Sequence, residues 1–246
     1  MLRFYGLEQR IWKRWETAAS QCKTSLTAQQ ITVGDPGTIL RDVETLIEFV
    51  GPEGIVTKGR NANLPIDRLP ELNRRVGHPI QLHLKRALLR DYPNLSGIFI
   101  LLRVMGVLQV AGSRLILCPS ALRLWRGLNP VEQYFSLLEA LLFHAQSSVL
   151  GGERTREEAQ AFSKTAIFLG QLSERWCNFD FYESASSLGP HGELPPWNLF
   201  VQQQLGLIEI RPLPSSKREP KGWGGRGWLV GAARLTDWGT AVTWAL

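Results

Sequence analysis

Apolar residues recur along this chain first every three to four positions and then every second position, and a glycine marks the change. The clearest instance is Arg103-Val-Met-Gly106-Val-Leu-Gln-Val110, a polar tip Ala111-Gly-Ser-Arg114, and Leu115-Ile-Leu-Cys118 turning at Pro119 into a helix that reaches Trp125. A second instance is Gln204-Leu-Gly206-Leu-Ile-Glu-Ile210, a long basic insert, and Ala233-Arg-Leu235 leading into a helix that ends near Trp244. Helix, glycine, strand, polar wing, strand and helix is the order of a winged helix. The predicted fold is therefore mainly α with short β-hairpins, an α+β chain of tandem winged-helix-like modules joined by helices.

The remaining pattern supplies the connecting elements. Leu7, Ile11 and Trp15 make one stripe of an amphipathic helix over about residues 5 to 20, with Arg10, Lys13 and Arg14 opposite. Docking on the body is the expected use of that stripe, with a membrane surface or an anionic polymer as the alternative. Residues 21 to 38 read as a linker, so residues 1 to 37 form the first segment. Ile39, Val43, Leu46, Ile47 and Val50 predict a helix capped by Thr38. The turn Gly51-Pro-Glu-Gly54 leads to a short strand at Ile55-Val56-Thr57, read as a degenerate third copy of the unit.

Further helices are expected over 65 to 75, closed by Gly77-His-Pro79, over 80 to 91, and from Pro93 to Met105. The last is apolar nearly all round and so predicts burial, with only Asn94, Ser96 and Arg103 polar enough to meet a base edge. A helix over 130 to 146, capped by Asn129, completes a region spanning 38 to 150. The third region, 151 to 246, opens on one long helix over 153 to 177, breaks at 186 to 196, and ends in the C-terminal module. There a short helix, Pro196 to Leu205, turns Trp197, Phe200, Val201 and Leu205 inward and leaves Asn198, Gln202 and Gln203 for solvent.

Charge and cysteine content narrow the picture. Twenty-eight Lys plus Arg against 22 Asp plus Glu give a net charge of +6, which permits an anionic partner without requiring one. Cys22, Cys118 and Cys177 are odd in number and widely spaced, so neither a disulfide framework nor a metal knuckle is indicated and a cytoplasmic setting is expected. The longest apolar run, Leu95 to Val110, is interrupted by Arg103 and Gln109 and is shorter than a membrane span. The N-terminal residues lack the uninterrupted apolar run of a signal peptide.

Candidate chemistry is sparse. His78, His83, His144 and His191 have no metal-ligand spacing with one another or with the cysteines. Gly222-Trp-Gly-Gly-Arg-Gly227 lacks the GK[ST] of a phosphate loop and precedes a strand. No catalytic, metal or cofactor residues are therefore expected.

Leu40-Arg-Asp-Val-Glu-Thr-Leu-Ile, Gly54-Ile-Val-Thr-Lys-Gly-Arg-Asn-Ala-Asn-Leu-Pro65 and Leu101-Leu-Arg-Val-Met-Gly-Val-Leu-Gln-Val together resemble a bacterial group, the plasmid Ri open-reading-frame-three-like proteins, also labelled insertion-element passenger TnpR proteins. The first two runs look like that group's helix followed by a Thr-x-x-Gly-Asn-Leu-Pro segment, and the third looks like its winged-helix core. The resemblance covers about residues 38 to 145 and implies a plasmid or mobile-element setting. It does not imply serine-resolvase chemistry, because Ser20 and Ser25 follow an amphipathic helix and a polar linker, not a strand with organised arginines.

The leading expectation is a non-enzymatic DNA-binding protein. Asn198, Gln202 and Gln203 would meet the duplex, and Lys217, Arg218, Lys221 and Arg226 of the wing over 211 to 228 would hold its phosphates. That wing is otherwise a solubilising loop. The competing expectation is a protein-interaction module in which the winged helices pack on a partner or on another copy of the chain. A membrane partner is not expected.

Overall fold

A computed structural model describes residues 30–57, 63–145, 147–150, 161–179, 194–213 and 229–245. Helix α1 (Ile39–Val50) buries Ile39, Leu40, Val43, Leu46, Ile47, Phe49 and Val50, the face its spacing predicts. The Thr38 hydroxyl does not cap it; that hydroxyl donates to Asp42 Oδ2 at 2.6 Å instead. Strand β1 (Ile55–Val56) follows, then α2 (Leu69–Arg75) and α3 (Pro93–Val104). Past α3 come the hairpin strands β2 (Leu108–Ala111) and β3 (Arg114–Leu117), with Gly112 at positive φ in their turn. The expected third copy is corrected here. β1 pairs antiparallel with β3, Ile55 opposite Leu115 and Val56 opposite Arg114, so it completes the central sheet in the order β1-β3-β2.

Helix α4 (Pro119–Gly127) leaves the hairpin, and α5 (Pro130–Glu139) runs on into a π-helical turn at Ala140–His144. Asn129 caps α5 as expected, and Glu132 makes the cap reciprocal: Asn129 Oδ1 accepts from Glu132 N at 3.0 Å and Asn129 N donates to Glu132 Oε2 at 2.8 Å. Helix α6 (Ala161–Gln171) ends earlier than the expected Cys177, because the chain turns after Leu172 and forms strand β4 (Cys177–Asn178). Then α7 (Pro196–Gln204), β5 (Ile208–Pro212), β6 (Val230–Leu235) and α8 (Asp237–Ala245) close the fold, with a second antiparallel sheet in the order β4-β6-β5. The two sheets thus share one strand order, and in each the hairpin follows directly on a helix, α3 or α7.

Residues 80 to 91 depart from the helical expectation. Ile80, Leu82 and Leu84 are at least half-buried while Gln81, His83 and Lys85 are exposed, a period of two, and only Leu89–Asp91 form a 3-10 turn. Asn73 explains the choice: its Oδ1 accepts from Ile80 N at 3.0 Å and its Nδ2 donates to Ile80 O at 2.8 Å. With both backbone groups of Ile80 held by a buried side chain, a helix cannot begin there.

The two units share one core. Helices α3 and α7 lie against each other, and a Cβ at Gly97 would overlap Val201 Cγ2, so glycine is what lets the backbones approach. Both helices end on a residue at positive φ, Gly106 (76°) and Gly206 (72°), before turning into β2 and β5. The expected linker over 21 to 38 is corrected in its described part: Pro36 and Gly37 press on the backbone of Gln204 and Gly206, and Ile31 packs on the core. The predicted helix over 5 to 20 and Cys22 lie outside the described residues.

Candidate nucleic-acid interface

Helix α7 is the expected reading helix, yet its amides turn inward. Asn198, Gln202 and Gln204 are buried and Gln203 is half-buried. Asn198 Nδ2 donates to Thr165 Oγ1 of α6 at 3.2 Å, and Gln202 Nε2 donates to Asn198 Oδ1. The solvent-facing placement of Asn198 and Gln202 is therefore corrected. Spacing of four residues makes a polar stripe on a helix, but a stripe also suits an amide ladder between two packed helices. Gln203 has a buried amide oxygen without a hydrogen-bond partner among the described residues. Lys217, Arg218, Lys221 and Arg226 lie outside the described residues.

Two polar clusters lock α7 to the first unit. Asp42, with no solvent exposure, accepts from Gly77 N at 2.8 Å, from Thr38 Oγ1 at 2.6 Å, and from Gln204 Nε2 at 3.1 Å. His78 lies beside this carboxylate; burial lowers its pKa below the ordinary value, against an upward pull from Asp42 and a further downward push from Arg41. On the other side, Tyr134 of α5 donates its hydroxyl to Leu205 O at 2.6 Å and accepts from Trp238 Nε1 at 2.7 Å. Tyr134, Phe135 and Trp238 meet edge to face around that hydroxyl. In this arrangement α7 has no face free for a major groove.

The strands that flank the basic insert carry outward charge. β5 alternates Ile208 in, Glu209 out and Arg211 out, and Arg234 stands opposite Glu209 on β6. Arg234 forms a bidentate pair with Glu209 at 2.8 and 3.0 Å. The Arg211 guanidinium stacks over the half-buried Trp176 ring at 3.7 Å from its centre, and Arg234 approaches the same ring at 5.0 Å. Arg211 is exposed and has no acidic partner among the described residues. Apolar periodicity hides this cluster by assigning Trp176 to a long helix; the adjacent Arg175-Trp176 pair ahead of a short strand is the available signal.

Among the described residues no group of three or more His, Cys, Asp or Glu is placed to hold a metal ion. The Cys118 thiol, hydrogen-bonded by Ser120, sits below its ordinary pKa but stands alone at the start of α4. An open cleft of about 580 Å³ lies between α6 and α8, lined by Leu169, Leu172, Leu235 and Trp244 with Glu174 and Arg175 at its edge. Among the described residues no helix is long and apolar enough to cross a membrane. No protein-family model matches this chain, and no curated protein or solved structure matches it.

Proposed function

We propose that this chain is a non-enzymatic protein of two winged-helix-like modules that binds duplex DNA by its phosphate backbone, through the outer face of the second sheet and the basic wing that springs from it. The observation that carries this reading is Arg211 at the wing root, exposed, without an acidic partner among the described residues and held 3.7 Å over the centre of the Trp176 ring. A guanidinium pre-set on an aromatic ring loses little entropy when it meets a phosphate. Lys217, Arg218, Lys221 and Arg226 continue the same charge along the wing. Burial of α7 supports contact without base reading, which confines the wing to positioning on the backbone. The test is the salt dependence of binding to a short duplex for a variant with Arg211 and the four wing cations changed to alanine. Each phosphate that the variant no longer neutralises lowers the slope of log K against log salt by about 0.9. An unchanged slope and affinity refute the reading.

A second reading, a module for partner or self association, is supported by the α3–α7 contact, in which these helices already serve as a protein interface. Trp244 at 68% and Ile167 at 57% exposure add apolar surface on α8 and α6. A mass measurement in solution separates the two: a concentration-independent monomer that binds duplex favours DNA, and a stable oligomer without duplex affinity favours association.

A further inference from the structure

Residues 72 to 90, LNRRVGHPIQLHLKRALLR, contain five Lys or Arg and no Asp or Glu. In a chain whose whole excess is +6, that is a concentration of charge, and Arg74, Arg75, Lys85, Arg86 and Arg90 are all exposed. Arg75 meets Glu48 at 3.5 Å; Lys85, Arg86 and Arg90 meet no acid among the described residues. The cations sit on a strap that is fixed at both ends by buried polar groups. At the entry, Asn73 holds both backbone groups of Ile80, and Asn94 Nδ2 donates to Asn73 Oδ1 at 2.8 Å and to His78 O at 2.9 Å. At the exit, Asp91 Oδ2 accepts from Leu88 N at 2.9 Å and Ser96 Oγ donates to Leu89 O at 2.6 Å. Four buried polar side chains therefore position an irregular segment whose apolar residues turn inward and whose cations turn out.

We infer that this strap is a second phosphate-contacting surface, on the first unit, for duplex DNA. It deepens the nucleic-acid reading above but rests on residues independent of the wing. Lone surface cations are ordinary; three exposed cations without an acidic partner among the described residues, on a backbone anchored from below, make an anion-facing surface. A lipid surface fits less well, because Ile80 is buried in the core and Leu82 packs against it, so the strap offers little apolar side chain to insert. Lys85, Arg86 and Arg90 are exposed and make no side-chain hydrogen bond or ion pair among the described residues, so their removal is expected to leave the fold intact.

The experiment compares the full chain with a K85A/R86A/R90A variant, binding a 20-base-pair duplex across a potassium chloride series by fluorescence anisotropy. Removing three phosphate-neutralising cations lowers the slope of log K against log salt by about 2.7, and affinity at low salt falls by at least about tenfold. The charge-keeping K85R/R86K/R90K variant retains the wild-type slope. Thermal melts of all variants within about 2 °C of the parent exclude misfolding, and R86A alone, with a slope change near 0.9, serves if the triple variant melts lower. The wing variant is measured beside them. A slope change in the strap variant with none in the wing variant upholds the strap and refutes the wing. The reverse overturns the strap, and so does binding of the parent to phosphatidylglycerol vesicles without binding to duplex.

Discussion

The hydroxyl of Tyr134 is the most exposing place to test how the two units are joined. It is fully buried, it satisfies the carbonyl of Leu205 at the end of α7, and it satisfies the indole N–H of Trp238 on α8. Tyr134→Phe keeps the ring and its edge contacts with Phe135 and Trp238, and removes one oxygen. Two buried polar groups then lose their partner. Each orphan costs about 1–3 kcal/mol, and a cavity of one hydroxyl is too small for water to replace it, so the total is about 3 kcal/mol. For a chain of this size a urea m-value of about 2–3 kcal/mol/M turns that loss into a midpoint shift of about 1 M. Trp238→Phe in the Tyr134→Phe background costs less than in the parent, because the indole N–H is already unpaired there. Burial also holds the Tyr134 phenol well above its ordinary range. The unfolded chain loses that proton near pH 10 while the folded chain keeps it, so the raised folded pKa gives stability that is present below pH 10 and is lost as pH rises beyond it. The gap between parent and variant therefore narrows in alkali. A midpoint shift below about 0.2 M at neutral pH, with m unchanged, refutes this account of the junction.

Three other outcomes follow from the same contacts. Asp42→Ala strips acceptors from Gly77 N and Gln204 Nε2 and lowers stability by about 2–4 kcal/mol, read as a denaturant midpoint. Gly97→Ala gains about 1 kcal/mol of helix propensity and loses about 1–3 kcal/mol to overlap with Val201, so it melts below the parent; adding Val201→Ala makes Gly97→Ala cheaper than it is alone. His78 is held neutral by burial, so its depressed pKa contributes stability that is present above about pH 6.5 and is lost as pH falls below it; His78→Gln flattens that slope between pH 7.5 and 5.5 in urea melts.

The elements most legible in the sequence are those whose local signals agree. α1, α5 and the two glycine-closed helices each combine an apolar period with a terminating or capping residue, and each forms where expected. Where long-range contacts decide, local pattern misleads. Ile80, Leu84 and Leu88 fit a helix, yet Ile80, Leu82 and Leu84 fit an extended segment equally well, and Asn73 settles it from another element. β1 is two residues long and is recognisable only through its pairing with β3. The candidate site fared similarly: the cations of the wing are plain in composition, but whether Asn198 and Gln202 face water depends on α3 and α6, which the helix's own sequence does not reveal.

Burial of α7 and of α3 against it also changes what kind of recognition this architecture supports. In a winged helix that reads bases, the helix before the hairpin supplies donors and acceptors to the major groove. Here both such helices are spent on each other: α3 is buried from Pro93 to Leu102, and the amides of α7 serve Thr165, Asn198 and Asp42. Exposed cations on the strap and at the wing root remain, and arginine or lysine on phosphate positions a protein on a duplex without distinguishing base pairs. Releasing α7 for base reading would expose Trp197, Val201 and Leu205 and break the Tyr134 and Asp42 clusters together, a cost of several kcal/mol that a few base contacts at about 1–3 kcal/mol each would have to exceed. On the proposed reading, the duplex grip is therefore salt-dependent and tolerant of sequence, with the strap and the Arg211 cluster contributed by different units around one shared core.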